Sequence, residues 1–274
     1  MIGQKSTANT GITGPSPWLT GFLAVFYLGL LALVIFLPGA SLLDRLRWLD
    51  SGVCAQMPTH SFYPGGERLP LCSRNTGIYL GFITTLILLY STGRGRARLV
   101  PPRSIIAVLA ASVLALAIDG FNSLALDLGF PHLYQPHNLL RLGTGLITGL
   151  AMASLALPIL NQLFWRESNQ QSSIPTWKSL LLFVPVLILC FFAVASQSSI
   201  VLYPLALLST IGILTAISSI NLIFIIALSK RGETFEYYRQ LLPFFGLAFA
   251  LAIGEMLALA QLKFTLLQAL GIPG

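Results

Sequence analysis

Seven long apolar stretches, separated by short polar loops, leave this chain few ways to fold. They run at about residues 18–37, 76–91, 104–118, 139–164, 179–195, 200–228 and 241–262. A helix needs roughly 20 apolar residues to cross the hydrocarbon core of a bilayer. In lipid every backbone N–H and C=O must be satisfied internally, which a helix achieves within one segment. Composition closes off the soluble alternative. Only 9% of the 274 residues are charged, against about 25% in a soluble domain, so a soluble fold could not cover its surface. The mean hydropathy of +0.80 agrees. The expectation is an all-α, polytopic helical membrane protein with about seven transmembrane helices in a single membrane domain, residues 17–274. Residues 1–16 are rich in Gly, Ser, Thr and Pro and read as a flexible cytoplasmic tail. The apolar run that follows is too long for a cleavable signal core.

The net charge of +7 would suggest nucleic acid in a soluble protein. Here no basic stripe is interleaved with aromatics and no nucleic-acid motif is present. The basic residues sit mostly in short loops, where they set topology and meet anionic lipid. With loop 92–103 inside, the cytoplasmic segments hold ten basic residues: Lys5, Arg94, Arg96, Arg98, Arg103, Arg166, Lys178, Lys230, Arg231 and Arg239. The other side holds six: Arg45, Arg47, Arg68, Arg74, Arg141 and Lys263. That bias puts the N-terminus in the cytoplasm. Residues 41–75 and 119–138 then form a small non-cytoplasmic cap. Residues 41–50 place apolar positions at helical spacing between charges and read as an interfacial helix.

Three polar blocks converge on that cap. The first runs from Cys54 through His60 to Cys72 and Arg74, the second is Asp119-Gly120-Phe121-Asn122-Ser123, and the third runs from Tyr134 through His137 and Asn138 to Arg141. Charged groups at the edge of a bilayer are costly unless paired. Arg74 and Arg141 are therefore expected beside Asp119, as a structural ion pair or as part of a site. The pairs Gly77/Gly81 and Gly145/Gly149 have the small-xxx-small spacing that lets helices approach closely in lipid. They predict packing of the second span on the fourth, which would bring the two arginines together. Two cations beside one carboxylate would suit an anionic ligand such as a lipid phosphate. Asp119 and His60 are the catalytic candidates, and Arg74, Arg141, Asn122 and Asn138 the ligand-binding ones.

Cys54 and Cys72 have three readings. They could form a disulfide closing seventeen intervening residues, worth about 3 kcal/mol. With His60 they could ligate Zn²⁺ or Cu⁺, given a fourth donor such as Asp119, His132 or His137. They could be redox-active thiols. No C-x-x-C is present to favour a metal. Glu255, inside the last span, is the other costly group. Asn221 reads as an interhelical hydrogen bond, Cys190 as a buried small side chain, and His132 and His137 as solvated. No phosphate-binding glycine loop, H-E-x-x-H or G-x-S-x-G occurs.

The run Cys54…His60-Ser-Phe…Leu-Pro-Leu-Cys72-Ser-Arg74…Thr-Gly-Ile-Tyr79-Leu-Gly, then Asp119-Gly…Asn122, then Asn138-Leu-Leu-Arg141…Thr-Gly resembles a prokaryotic family of predicted multi-pass membrane proteins, the domain of unknown function twenty eighty-five. The resemblance covers roughly residues 50–155. It implies a multi-pass membrane protein and no established activity. Many members carry a His directly after the first Cys and a further Cys after the Arg. Here those places hold Ala55 and Asn75, which departs from a four-ligand metal site. The resemblance leaves Cys54, Cys72, Arg74, Asp119, Asn122, Asn138 and Arg141 as the shared polar set.

Three functions fit these residues. The leading one is a site under the cap that binds or processes an anionic or lipid-linked ligand. A second is a transporter or channel with a polar path through Asp119, Asn221 and Glu255. A third is a structural or assembly factor of a membrane complex. The sequence does not separate an enzyme from a binding or transport protein and names no protein partner. The expected location is a prokaryotic plasma membrane, with an internal photosynthetic membrane equally consistent.

Overall fold

The computed structural model describes residues 25–26, 28–29 and 36–271, apart from 168. The expected tail at 1–16 and nearly all of the first span lie outside the described residues.

The helix α1 (Leu42–Asp50) forms where the spacing of residues 41–50 predicts one. Ser41 and Asp44 form a reciprocal capping box at its start, satisfying donors that a helix N-terminus leaves open. Leu43, Leu46 and Leu49 share its buried face. Helix α2 (Ser73–Ser91) follows a cap loop containing two short 3-10 turns, Pro58–His60 and Pro64–Gly66. Helices α3 (Arg103–Asp127) and α4 (Asn138–Phe164) come next. The fifth span is broken into α5 (Trp177–Leu181) and α6 (Val184–Ala195), with a proline in the first turn of α6. Helices α7 (Leu202–Ser229) and α8 (Tyr238–Ala269) complete the bundle.

Five segments are long and apolar enough to cross a membrane: α3, α4, α5 with α6, α7 with the turn before it, and α8. Helix α2 falls short in composition because its first turn carries Arg74 and Asn75. It is the inner helix of the bundle, packed against α4, α6 and α7. Protein, rather than lipid, surrounds its polar end. The glycine pairs make the α2–α4 contact possible. A Cβ on Gly77 would lie 2.5 Å from the Leu142 carbonyl oxygen, and one on Gly145 would lie 2.5 Å from that of Arg74. The large apolar side chains left outside, among them Leu114, Phe121, Leu189, Phe224 and Leu228, face where lipid would be.

Two elements run longer than their apolar patterns. Helix α3 continues nine residues past Ile118, so Asp119, Asn122 and Ser123 lie on its final turns and not in a loop. Helix α8 continues past Leu262 and includes Lys263.

The loops gather at two opposite ends. One end is the cap. At the other, 92–102, 165–176 and 230–237 form a collar. Strands β1 (Ala97–Leu99) and β2 (Asn169–Ser172) pair in parallel there. Asn161 of α4 donates to the carbonyls of Gly95 and Ala97 and accepts from Trp165 Nε1. The Arg96 guanidinium lies against the rings of Trp165 and Tyr238.

A buried arginine cluster under the cap

Arg74 stands in the first turn of α2, beside the final turns of α3. Its Nη2 donates to Asp119 Oδ2 at 2.6 Å, to the Asp119 carbonyl at 3.2 Å and to Ser123 Oγ at 3.1 Å. Tyr134 donates its hydroxyl to Asp119 Oδ1 at 2.9 Å. Both carboxylate oxygens are therefore occupied, and Asp119 is only 1% exposed. In this arrangement Asp119 fixes Arg74 rather than standing open as a base.

Arg141, in the first turn of α4, is 4% exposed. Its Nε donates to Ser123 Oγ at 3.3 Å and its Nη1 to Asn138 Oδ1 at 2.8 Å. Among the described residues no carboxylate lies within 4.0 Å of it. The expected Asp119–Arg141 partnership thus runs through the Ser123 hydroxyl, which accepts from both arginines. A cleft of about 450 Å³ opens over Arg141, lined also by Thr59, Ser61, His137, Asn138 and Gln197.

The remaining candidates separate into roles. Asn138 joins the cap by donating to the carbonyls of Thr59 and Ser61. Asn122 spends its amide on the backbone of Leu133 and Tyr134, clamping the α3–α4 loop. His137 accepts from Leu139 N and caps α4. His132 contacts Gln135. His60 faces Asp127, with Nε2 3.3 Å from Oδ1. Burial first, and then the Arg141 charge, hold the imidazole below its ordinary pKa. Glu255 is exposed on the outer face of α8 and accepts from Asn221 of α7 at 3.2 Å.

Cys54 and Cys72 are adjacent free thiols; the Cys72 N–H points at Cys54 Sγ at 3.3 Å. Donation from Cys72 holds the Cys54 thiol below its usual range. His60, the third donor expected beside them, lies elsewhere, against Asp127. No group of three His, Cys, Asp or Glu side chains able to hold a metal gathers among the described residues. The expected donor set of Cys54, His60 and Cys72 is therefore not assembled. Cys190 lies half-buried on α6.

Two contributing residues, Asp127 and Asp50, lie outside the polar blocks read from the sequence, and Ser123 and Tyr134, inside those blocks, have no role in that reading. Asp119, Asn122, Ser123 and Asp127 follow the i, i+3, i+4, i+8 stripe of one helix face. That signal is hidden once the span is ended at Ile118. Asp50 is fully buried at the end of α1. Thr210 Oγ1 donates to its Oδ2 at 2.7 Å, while Oδ1 has no hydrogen-bond partner among the described residues. Burial pushes its carboxyl up to about 8.

Comparison with known proteins places the chain among predicted membrane proteins. The family model described as predicted membrane protein (DUF2085) matches residues 54–155. An uncharacterized protein of Methanothermobacter thermautotrophicus is 35% identical over 106 residues, covering 38% of this chain and 83% of the relative. An uncharacterized protein of Methanocaldococcus jannaschii is 27% identical over 115 residues, covering 42% of this chain and 68% of the relative. No solved structure matches the chain. The matched region begins at Cys54 and ends within α4, so it contains the whole arginine cluster.

Proposed function

The chain belongs to the DUF2085 family of membrane proteins, and from that premise we propose that the cluster under its cap binds an anionic group, of the phosphate or lipid-linked phosphate class. One observation carries the reading. Arg141 is buried at the foot of a cleft with no carboxylate partner among the described residues. An uncompensated buried charge is strongly unfavourable, and an anion entering the cleft would compensate it. Arginine also suits the task chemically, since its planar fork matches phosphate and carboxylate oxygens. Arg74 is neutralised by Asp119 and linked to Arg141 through Ser123, so Arg141 is the cation left to meet a ligand. Asn138 orients Arg141 and ties it to the cap backbone.

In this proposal the cap faces the non-cytoplasmic side, supported by the ten-to-six bias of basic residues. Cys54 and Cys72 lie close enough to brace the cap loop as a disulfide in an oxidising compartment. The polar-path alternative gains no support from Glu255, whose partner is Asn221 on the bundle's outer face.

The test uses the full chain in detergent, with inorganic phosphate and short-chain phosphatidic acid as probes. Either probe should raise the melting temperature of the wild type. Arg141→Ala should abolish that response while the protein accumulates normally, and Arg141→Lys should keep part of it. An Arg141→Ala protein that responds like the wild type sinks the reading.

A further inference from the structure

A second cleft, of about 710 Å³, opens between α1, the loop 55–58 and the last turns of α8. It shares no lining residue with the cleft over Arg141. Its charges are unequal. Arg47 is already consumed, reaching Asp44 and Glu67 at 2.9 Å each. Arg68 donates to the Gln56 carbonyl at 2.8 Å, and Lys263 to the Cys54 carbonyl at 3.3 Å. Neither has a carboxylate within 4.0 Å among the described residues. Three cations against two carboxylates leave one positive charge, which is the complement of a single phosphodiester.

The same cleft is apolar along one wall. Trp48 of α1 and Phe264 of α8 present parallel rings, 1° apart in plane and 6.3 Å between centroids. Leu267 and Met57 extend that surface. Depth matters as well. Helix α1 is amphipathic and lies across the bundle end, and Lys263 sits near the end of a spanning helix. Cations above an apolar slot at that level are the chemistry of a lipid headgroup with its chain.

We propose that this cleft holds one anionic phospholipid of the leaflet on the cap side. Its phosphate lies between Arg68 and Lys263, and its chain runs along Trp48, Phe264 and Leu267. The lipid would join α1 to α8, two elements far apart in sequence.

The full-length protein is reconstituted in nanodiscs of phosphatidylglycerol or phosphatidylcholine, then released into detergent for native mass spectrometry. In the Arg141→Ala protein, which lacks the site under the cap, one phosphatidylglycerol per chain should remain bound, and phosphatidylcholine should not. Arg68→Gln with Lys263→Gln should weaken retention by about tenfold or more, since each cation near the surface contributes several-fold. Arg68→Lys with Lys263→Arg should retain the lipid and controls for folding. Trp48→Ala should weaken lipid retention without changing the response to inorganic phosphate. In the Arg141→Ala background the bound phosphatidylglycerol should still be lost with the Arg68→Gln and Lys263→Gln pair, which separates this site from the one under the cap. Equal retention of phosphatidylcholine, or wild-type retention by the Gln double variant, overturns the proposal. So does displacement of the lipid by inorganic phosphate alone, because the apolar wall would then contribute nothing.

Discussion

Asp50 carries a charge question that nothing near it in sequence announces. Its carboxyl is fully buried, accepts one hydrogen bond from Thr210 and is pushed up from 3.8 to about 8. The folded state therefore binds more protons than the unfolded state between those values. Stability falls as pH rises through that window and levels off above it. Thermal unfolding in detergent should show a lower melting temperature at pH 8.5 than at pH 5. Asp50→Asn should remove that contribution. The variant must be compared with the wild type at each pH, because His60, held below its ordinary pKa, contributes in the opposite direction up to about 6.5. A second residue-level prediction concerns the ion pair. Asp119→Ala leaves the Arg74 guanidinium with Ser123 and the residue-119 carbonyl but no carboxylate, and breaking a buried pair costs on the order of 3 kcal/mol. Chemical denaturation of Asp119→Ala against the wild type checks the size of the loss. At this scale the sequence located Arg74, Asp119, Asn138 and Arg141 at one end of the bundle, because ionisable groups at the edges of apolar runs are rare and conspicuous. It could not reveal Asp50, whose burial comes from Thr210, 160 positions away. Nor could it show that Ser123 joins the two arginines, since a serine near a helix end looks the same in or out of a network.

Helix α2 shows how an element can break the rule used to find it. Its polar first turn excludes it by composition, yet it sits at the centre of the bundle. Hydropathy reports contact with lipid, whereas α2 meets mostly protein. The same confusion shortened α3. A carboxylate in an apolar run reads as an exit from the membrane, but Asp119 is paired with Arg74 and Tyr134, and the helix runs on to Asp127. The glycine spacing was the more reliable signal, because close approach of two backbones is a steric demand. Gly145→Ala places a methyl 2.5 Å from the Arg74 carbonyl oxygen. Separating α2 from α4 to relieve this should cost about 1–3 kcal/mol. Because Arg74 rides on the displaced turn, the response to phosphate should weaken as well, even though Gly145 carries no charge. Melting curves with and without inorganic phosphate measure both effects in one protein.

Across the whole molecule the two ends are built differently. At the collar, α4 uses Asn161 to hold the backbone of loop 92–102, and β1–β2 links that loop to 165–176. Asn161→Ala would strand two buried carbonyls and the Trp165 indole, at about 1–3 kcal/mol for each group left unsatisfied. The expected result is loss of stability with an unchanged response to phosphate. The sidedness assigned to these ends is testable on whole cells. With the native cysteines replaced by serine, a membrane-impermeant maleimide should label Leu133→Cys at the cap and leave Glu167→Cys at the collar untouched. The reverse pattern would invert the topology.

Ser123 and the collar together set a mechanical condition on anything entering the cluster. Helices α2, α3 and α4 are tied by backbone pairing in their connecting loops at the collar, but at the cap their ties run through side chains: Arg74 to Asp119 and Ser123, Tyr134 to Asp119, and Arg141 to Ser123. A helix the length of α4, 27 residues, extends about 40 Å. Tilting it about 3° at the collar swings its far end by about 2 Å, by that same length. At the cap end one serine hydroxyl is thus shared by three helices, and a ligand that draws Arg141 away must first take the place of that shared acceptor.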